Sequence, residues 1–309
     1  MLVEKPIIEG RIEPASRVAI CIELYCRDVT GDQRKVGSAT GFVHRRESRD
    51  FLITNWHVET GRKPENPGEL LDGYPESPTC FEMYVPKTEE PNRFLPSDFF
   101  ELYENGRPRW IETKLEGPAA GKRTDLVAIP IEFPDGPLIV RIEEFAKYEN
   151  QRLRIGRDVV IVGYPFGIRA ENPFPTWKRG SIASEPSILI GGLPKYYIDT
   201  PGRPGMSGSP VFMIDKGTGV SGKTYGLLTA AINGGSAIDA VRAMDVDEMM
   251  NAPEVNMLQF AGVYSGSVGD KALNQLNVGV AWHAGIIDTL FMKPVIGSNP
   301  FPPQFARSR

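Results

Sequence analysis

Three residues of this chain carry groups that together could turn a hydroxyl into a nucleophile. Ser207 stands in Gly-Met-Ser-Gly-Ser-Pro (205–210), His57 in Thr-Asn-Trp-His-Val (54–58) and Asp125 in Thr-Asp-Leu-Val-Ala-Ile (124–129). A serine hydroxyl is a poor nucleophile at neutral pH. It attacks a carbonyl when an imidazole takes its proton and a carboxylate holds that imidazole in the right tautomer. Gly205 and Gly208 flank Ser207 in a turn too tight for side chains. Backbone N–H groups there, those of Gly205 and Ser207, can converge on a developing oxyanion, and losing one such donor costs about 2.7–4 kcal/mol. Ser209 is a second hydroxyl in the same turn, but the Gly-x-Ser-Gly frame centres on Ser207. Asp135 is the fallback carboxylate, although its Pro-Asp-Gly setting is that of a turn former. His44 and His283, the other two histidines, read as packing residues of strands.

Strands must position these groups. Asp50–Thr54 is an apolar run that ends abruptly in Asn-Trp-His, so a rigid strand would present the imidazole at a cleft edge. Leu126–Ile129 is a second such run, with Asp125 at its mouth. Arg17–Tyr25 and Gly37–His44 are short apolar or alternating stretches suited to a barrel. The 32 glycines and 27 prolines in 309 residues favour many turns and short strands over long helices. A chain of this length holds one large or two small domains.

Composition excludes some classes of function. The net charge is -4, and Arg45–Arg49 reads as a solvated hairpin tip, so nucleic acid is not an expected partner. No apolar run reaches the roughly 18 residues needed to cross a bilayer, so no membrane partner is expected. The N-terminus lacks a basic start followed by an apolar stretch. Three cysteines, Cys21, Cys26 and Cys80, do not make a disulfide framework and read as thiols of a reducing compartment. A cytoplasmic, bacterial or viral setting is the expectation. The histidines are scattered and no phosphate-binding loop with a lysine occurs, so no cofactor and no metal is implied.

The order His, Asp, Ser, together with the surrounding motifs, resembles the trypsin-like (chymotrypsin-fold) serine peptidases in their bacterial form. Gly37–Val43 resembles the strand leading to the histidine hairpin. Asp158–Gly167 resembles the strand and turn that open a second barrel, and Lys178–Ser184 the strand after it. Phe260–Gly266 looks like the strand that runs along the substrate backbone. Val278–His283, with the following Ala284–Phe291, looks like the last strand and closing helix. Six motifs in the right order carry the likeness across residues 36–292.

The resemblance implies an all-β fold of two antiparallel Greek-key barrels with a short C-terminal helix. His57 and Asp125 would sit in an N-terminal barrel (1–148) and Ser207 in a C-terminal one (149–309). The expected activity is that of a serine endopeptidase with a protein or peptide substrate. The family's substrate pocket maps onto Thr200, Pro201, Gly202, Ser265, Gly266, Ser267 and Gly279. No acid falls at Pro201 or Gly202, which disfavours a Lys or Arg preference and leaves a small or medium apolar side chain. His283, if aimed at that pocket, would favour an acidic one, and the register of Asp199 is open.

Residues 61–110 and 233–257 depart from a minimal member of the family. Residues 61–110 read as a long loop with one embedded strand, Phe81–Val85, and 133–156 as the crossover between barrels. Residues 233–257 read as an insertion, and 294–309 as an irregular tail. Pro6–Gly10 superficially resembles an activation end, but Met206 before Ser207 cannot form the matching ion pair. The site is then either preformed or ordered by an activating partner or ligand acting through 61–110 or 233–257. The alternative is a catalytically silent scaffold that keeps the fold.

Overall fold

The computed structural model describes residues 12–28, 30–86, 93–133, 139–145, 153–167, 174–218, 254–266 and 275–303. Strands β1 (Ala19–Arg27), β2 (Gln33–Arg46) and β3 (Arg49–Thr54) run as an antiparallel meander into a five-residue helix, α1 (Trp56–Thr60). Then follow β4 (Cys80–Pro86), β5 (Phe94–Pro96), β6 (Phe100–Glu101), β7 (Tyr103–Glu104), β8 (Arg107–Pro108), β9 (Ile111–Thr113) and β10 (Val127–Ile131). The later strands are β11 (Asp158–Gly163), β12 (Thr176–Ile182), β13 (Lys195–Asp199), β14 (Pro210–Thr218), β15 (Glu254–Gly266) and β16 (Val278–His283). Helix α2 (Ile286–Met292) and a last strand, β17 (Pro294–Ile296), follow.

The fold is all-β with short helices. One sheet has nine strands in the order β17-β9-β10-β3-β2-β1-β4-β5, with β6 beside β4. A second is a closed six-stranded barrel, β11-β12-β13-β16-β15-β14, and β7 and β8 pair as a two-stranded sheet. Period-two alternation builds both interiors. Ile20, Ile22 and Leu24 of β1 face the first core with Val43, Leu52, Phe81, Met83, Val127 and Ile129. Val159 and Ile161, Tyr196 and Ile198, and Val211 and Met213 fill the second.

Chain compactness groups residues 1–213 with 260–309, and both sheet cores and all candidate site residues belong to this unit. The second unit, 214–259, holds the distal part of β14 and the start of β15. Most of the expected insertion at 233–257 lies outside the described residues, as does the expected boundary near 148.

Three local expectations change. Residues 61–110 contain four short strands besides β4: β5 and β6 add to the edge of β4, and β7 and β8 pair with each other. The tail is not irregular throughout, since Pro294–Ile296 adds to β9. His57 sits not on a strand end but within α1, which Gly61 terminates in the left-handed conformation at φ 64°.

Candidate active site

The end of β3 fixes His57 through its own backbone. Asn55 is extended and donates its side-chain amide to the Asp125 carbonyl at 2.7 Å. The His57 N–H donates to Asp125 Oδ1 at 2.9 Å. Across the pair, β10 aligns Val127 with Thr54, so two neighbouring strands deliver the carboxylate and the imidazole side by side. His57 Nδ1 then lies 2.7 Å from Asp125 Oδ2, and His57 Nε2 lies 2.8 Å from Ser207 Oγ. His57 and Asp125 are 2% and 5% exposed, so little water competes for either contact. With both Asp125 oxygens engaged, the ring is held with Nδ1–H toward the carboxylate and Nε2 toward the serine.

Ser265, on β15, donates its hydroxyl to Asp125 Oδ2. The expectation set it among the pocket residues; its side chain instead supports the carboxylate. Asp135, the fallback carboxylate, and Ser267 lie outside the described residues.

The turn that carries Ser207 is clamped from several sides. Gly205 and Gly208 adopt φ 90° and 85°, a region that L side chains avoid. A Cβ on Gly205 would overlap the Tyr164 carbonyl, and one on Gly208 would overlap the Thr40 carbonyl. The Ser207 carbonyl accepts from Thr40 N–H at 2.9 Å, and Gly208 N–H donates to the Tyr264 carbonyl at 2.8 Å. The Pro204 carbonyl accepts from Phe166 N–H at 2.6 Å. That bond fixes the Pro204–Gly205 peptide, whose N–H must point the opposite way across the peptide plane. Among the described residues, the N–H groups of Gly205 and Ser207 meet no acceptor. Ser209 is fully buried, with its hydroxyl against Gly163, and does not reach His57.

Thr40 was not singled out from sequence. It is fully buried on β2, and its hydroxyl donates to the Gly205 carbonyl at 2.8 Å while accepting from Tyr164 N–H at 3.0 Å. Its carbonyl takes the Thr54 hydroxyl at 2.9 Å. One residue of the first sheet therefore ties the strand that leads to His57 to the turn that carries Ser207.

The other described residues expected in the pocket lie on and beside the barrel strands β13, β15 and β16. Thr200 is buried and donates its N–H to Asn277 O at 3.1 Å. Pro201 and Gly202 follow it toward the Ser207 turn, and Gly266 ends β15 opposite Val280. Gly279 lies beneath the Tyr264 ring. Asp199 is exposed, on the face opposite the core residue Ile198. His283 packs edge-on against Tyr196, with ring centroids 5.0 Å apart, and burial lowers its pKa. His44 lies beside the Phe291 ring at 4.9 Å. Cys21, Cys26 and Cys80 are buried and form no disulfide. No described helix is long and apolar enough to cross a membrane.

A cavity of about 680 Å³ opens at the opposite end of β3, where Arg45 and Arg141 both grip Asp50. It lies away from the three hydrogen-bonded residues, at the ends of β3 and β10 remote from His57 and Asp125.

A search of curated proteins returned no match. Among solved structures the chain is similar to an HtrA-type protease, AlgW, with a tripeptide, at 13% identity and a TM-score of 0.41. That alignment covers 90% of this chain and 60% of the other. The trypsin-like peptidase domain matches residues 39–220, a span that includes His57, Asp125 and Ser207 and more than half of the sequence. The chain belongs to the trypsin-like peptidase family.

Proposed function

We propose that the protein is a serine endopeptidase in which Ser207 is the nucleophile, His57 the general base and acid, and Asp125 the group that orients His57. The observation that carries this reading is the continuous hydrogen-bonded series from Ser207 Oγ through both nitrogens of His57 to Asp125, at 2.8 and 2.7 Å. As Ser207 Oγ bonds to the substrate carbonyl carbon, its proton passes to His57 Nε2. The N–H groups of Gly205 and Ser207 receive the developing oxyanion. Collapse breaks the C–N bond and His57 returns the proton to the leaving amine, which leaves an acyl-enzyme. Water, deprotonated by His57, then releases the acid and restores Ser207.

Substrates in this proposal are proteins or peptides, and no cofactor takes part. The three buried thiols suit a reducing compartment, so the proposed location is the cytoplasm. The hydrogen-bonded series supports a site competent as folded, with no obligatory activating partner.

Incubation of the protein with a proteome-derived peptide library, read by mass spectrometry, tests the reading. New peptide termini should arise with wild type and not with Ser207→Ala. Absence of cleavage by folded wild type, alone and in cell lysate, would favour the silent scaffold.

A further inference from the structure

We infer that the barrel interior beside the nucleophile turn receives an acidic substrate side chain, with Lys178 as its counter-charge and the Tyr264 hydroxyl as a second partner. The inference rests on the serine-peptidase reading above and adds the substrate class.

Lys178 lies on β12 directly opposite Ile161 of β11. Residues facing one another in an antiparallel pair share a face, and alternate residues of one strand share it too. Ile161 and Ile182 both belong to the barrel core, so Lys178 projects into the barrel. Its Nζ is buried and meets no hydrogen-bond partner among the described residues. An ammonium group left so is costly unless an anion joins it.

Tyr264 is 1% exposed and shares that core, and its hydroxyl is likewise buried without a partner. Its N–H donates to the Ser209 carbonyl at 2.9 Å and its carbonyl accepts from Gly208 N–H at 2.8 Å, which sets the ring immediately inside the nucleophile turn. Its Oη and ring occupy the space above Gly279. Arg203, four residues before Ser207, acts electrostatically on both side chains. Burial, then the Arg203 charge, lowers the Lys178 pKa to about 8, so most molecules still carry the ammonium at pH 7.

These groups discriminate among substrate side chains. An aspartate or glutamate offers two oxygens, one for the ammonium and one for the phenol. The small or medium apolar side chain expected from the sequence would leave both polar groups desolvated and unpaired. A lysine or arginine would add a third positive charge beside Lys178 and Arg203.

Tetrapeptide substrates differing only in the residue before the scissile bond (Glu, Asp, Gln, Leu or Lys) test this on wild type and Lys178→Met. Rates are normalised to the fraction of enzyme that a fluorophosphonate probe labels, which reports the nucleophile independently of the side chain. The expected wild-type kcat/KM ratio of Glu over Gln is about tenfold or more, and it should fall toward unity in Lys178→Met. A labelled enzyme that prefers Leu or Lys, or a Glu-to-Gln ratio unchanged in Lys178→Met, would overturn the inference while leaving the peptidase reading intact. Failure of the probe to label wild type would overturn both.

Discussion

The hydroxyl of Thr40 donates to the carbonyl of Gly205 at 2.8 Å across 165 residues of chain. The same oxygen accepts from Tyr164 N–H, and the Thr40 backbone bonds both Ser207 and Thr54. Thr40 touches no reacting atom, so its role is positioning: it sets the Ser207 turn against the strand that leads to His57.

Thr40→Val keeps the shape and removes the hydroxyl. Misplacement of a reacting group by about 1 Å costs about 10²-fold, so kcat should fall by that order while KM changes little. Thr40→Ser should restore most of the loss. A purely structural role would lower the melting temperature and leave kcat per folded enzyme unchanged, which steady-state kinetics beside thermal melts would reveal.

Gly208 is held at φ 85° with the Thr40 carbonyl and Thr54 hydroxyl where a Cβ would stand. Gly208→Ala should therefore destabilise the protein by more than the roughly 1 kcal/mol of backbone strain alone, because the strand contact must open as well. Urea unfolding measures this, and a Gly208→Ala protein as stable as wild type would contradict the described turn.

Glu59, two residues after His57, is fully buried, and neither carboxyl oxygen meets a partner among the described residues. Burial raises its pKa from 4.5 to about 8. The folded chain thus keeps a proton that the unfolded chain loses above pH 4.5. Its stability contribution is full below about 4.5, declines as pH rises toward 8, and is flat beyond. Glu59→Gln should flatten that decline and make the protein more stable than wild type at pH 8. Denaturant melts at pH 5, 7 and 9 would show it, and parallel curves for the two proteins would refute it.

Asp50 has the opposite sign. Hydrogen bonds from Arg141 and Arg45, at 2.8–2.9 Å, hold its pKa down at about 2 against the opposing effect of burial. Its contribution is present above pH 3.8 and is lost as pH falls through about 2. Asp50→Asn should cost about 1.5–3 kcal/mol at pH 7 and little at pH 2. Chemical denaturation at the two values checks both halves.

The three residues that the fold joins by hydrogen bonds could be picked out because each carries its own local frame. Ser207 sits between glycines that only a positive-φ turn requires, and His57 and Asp125 each adjoin an apolar strand. What sustains them was not legible. Thr40 and Lys178 are ordinary strand residues until the register decides which face is buried and what lies across it. The two- and three-residue strands of 94–113 are too short for any periodicity to show. β17 begins with a proline, which suits an edge strand but reads from sequence as a break. His57 was expected on a strand end, because a helix of five residues leaves little more signal than the Gly61 that ends it.

The most direct test of the central claim is covalent labelling by a fluorophosphonate probe of wild type, Ser207→Ala and His57→Ala. An assembled nucleophile predicts stoichiometric labelling of wild type, mapped by mass spectrometry to Ser207, with none in Ser207→Ala and at most a trace in His57→Ala. Labelling that persists in Ser207→Ala, or folded wild type that stays unlabelled with and without cell lysate, would contradict it.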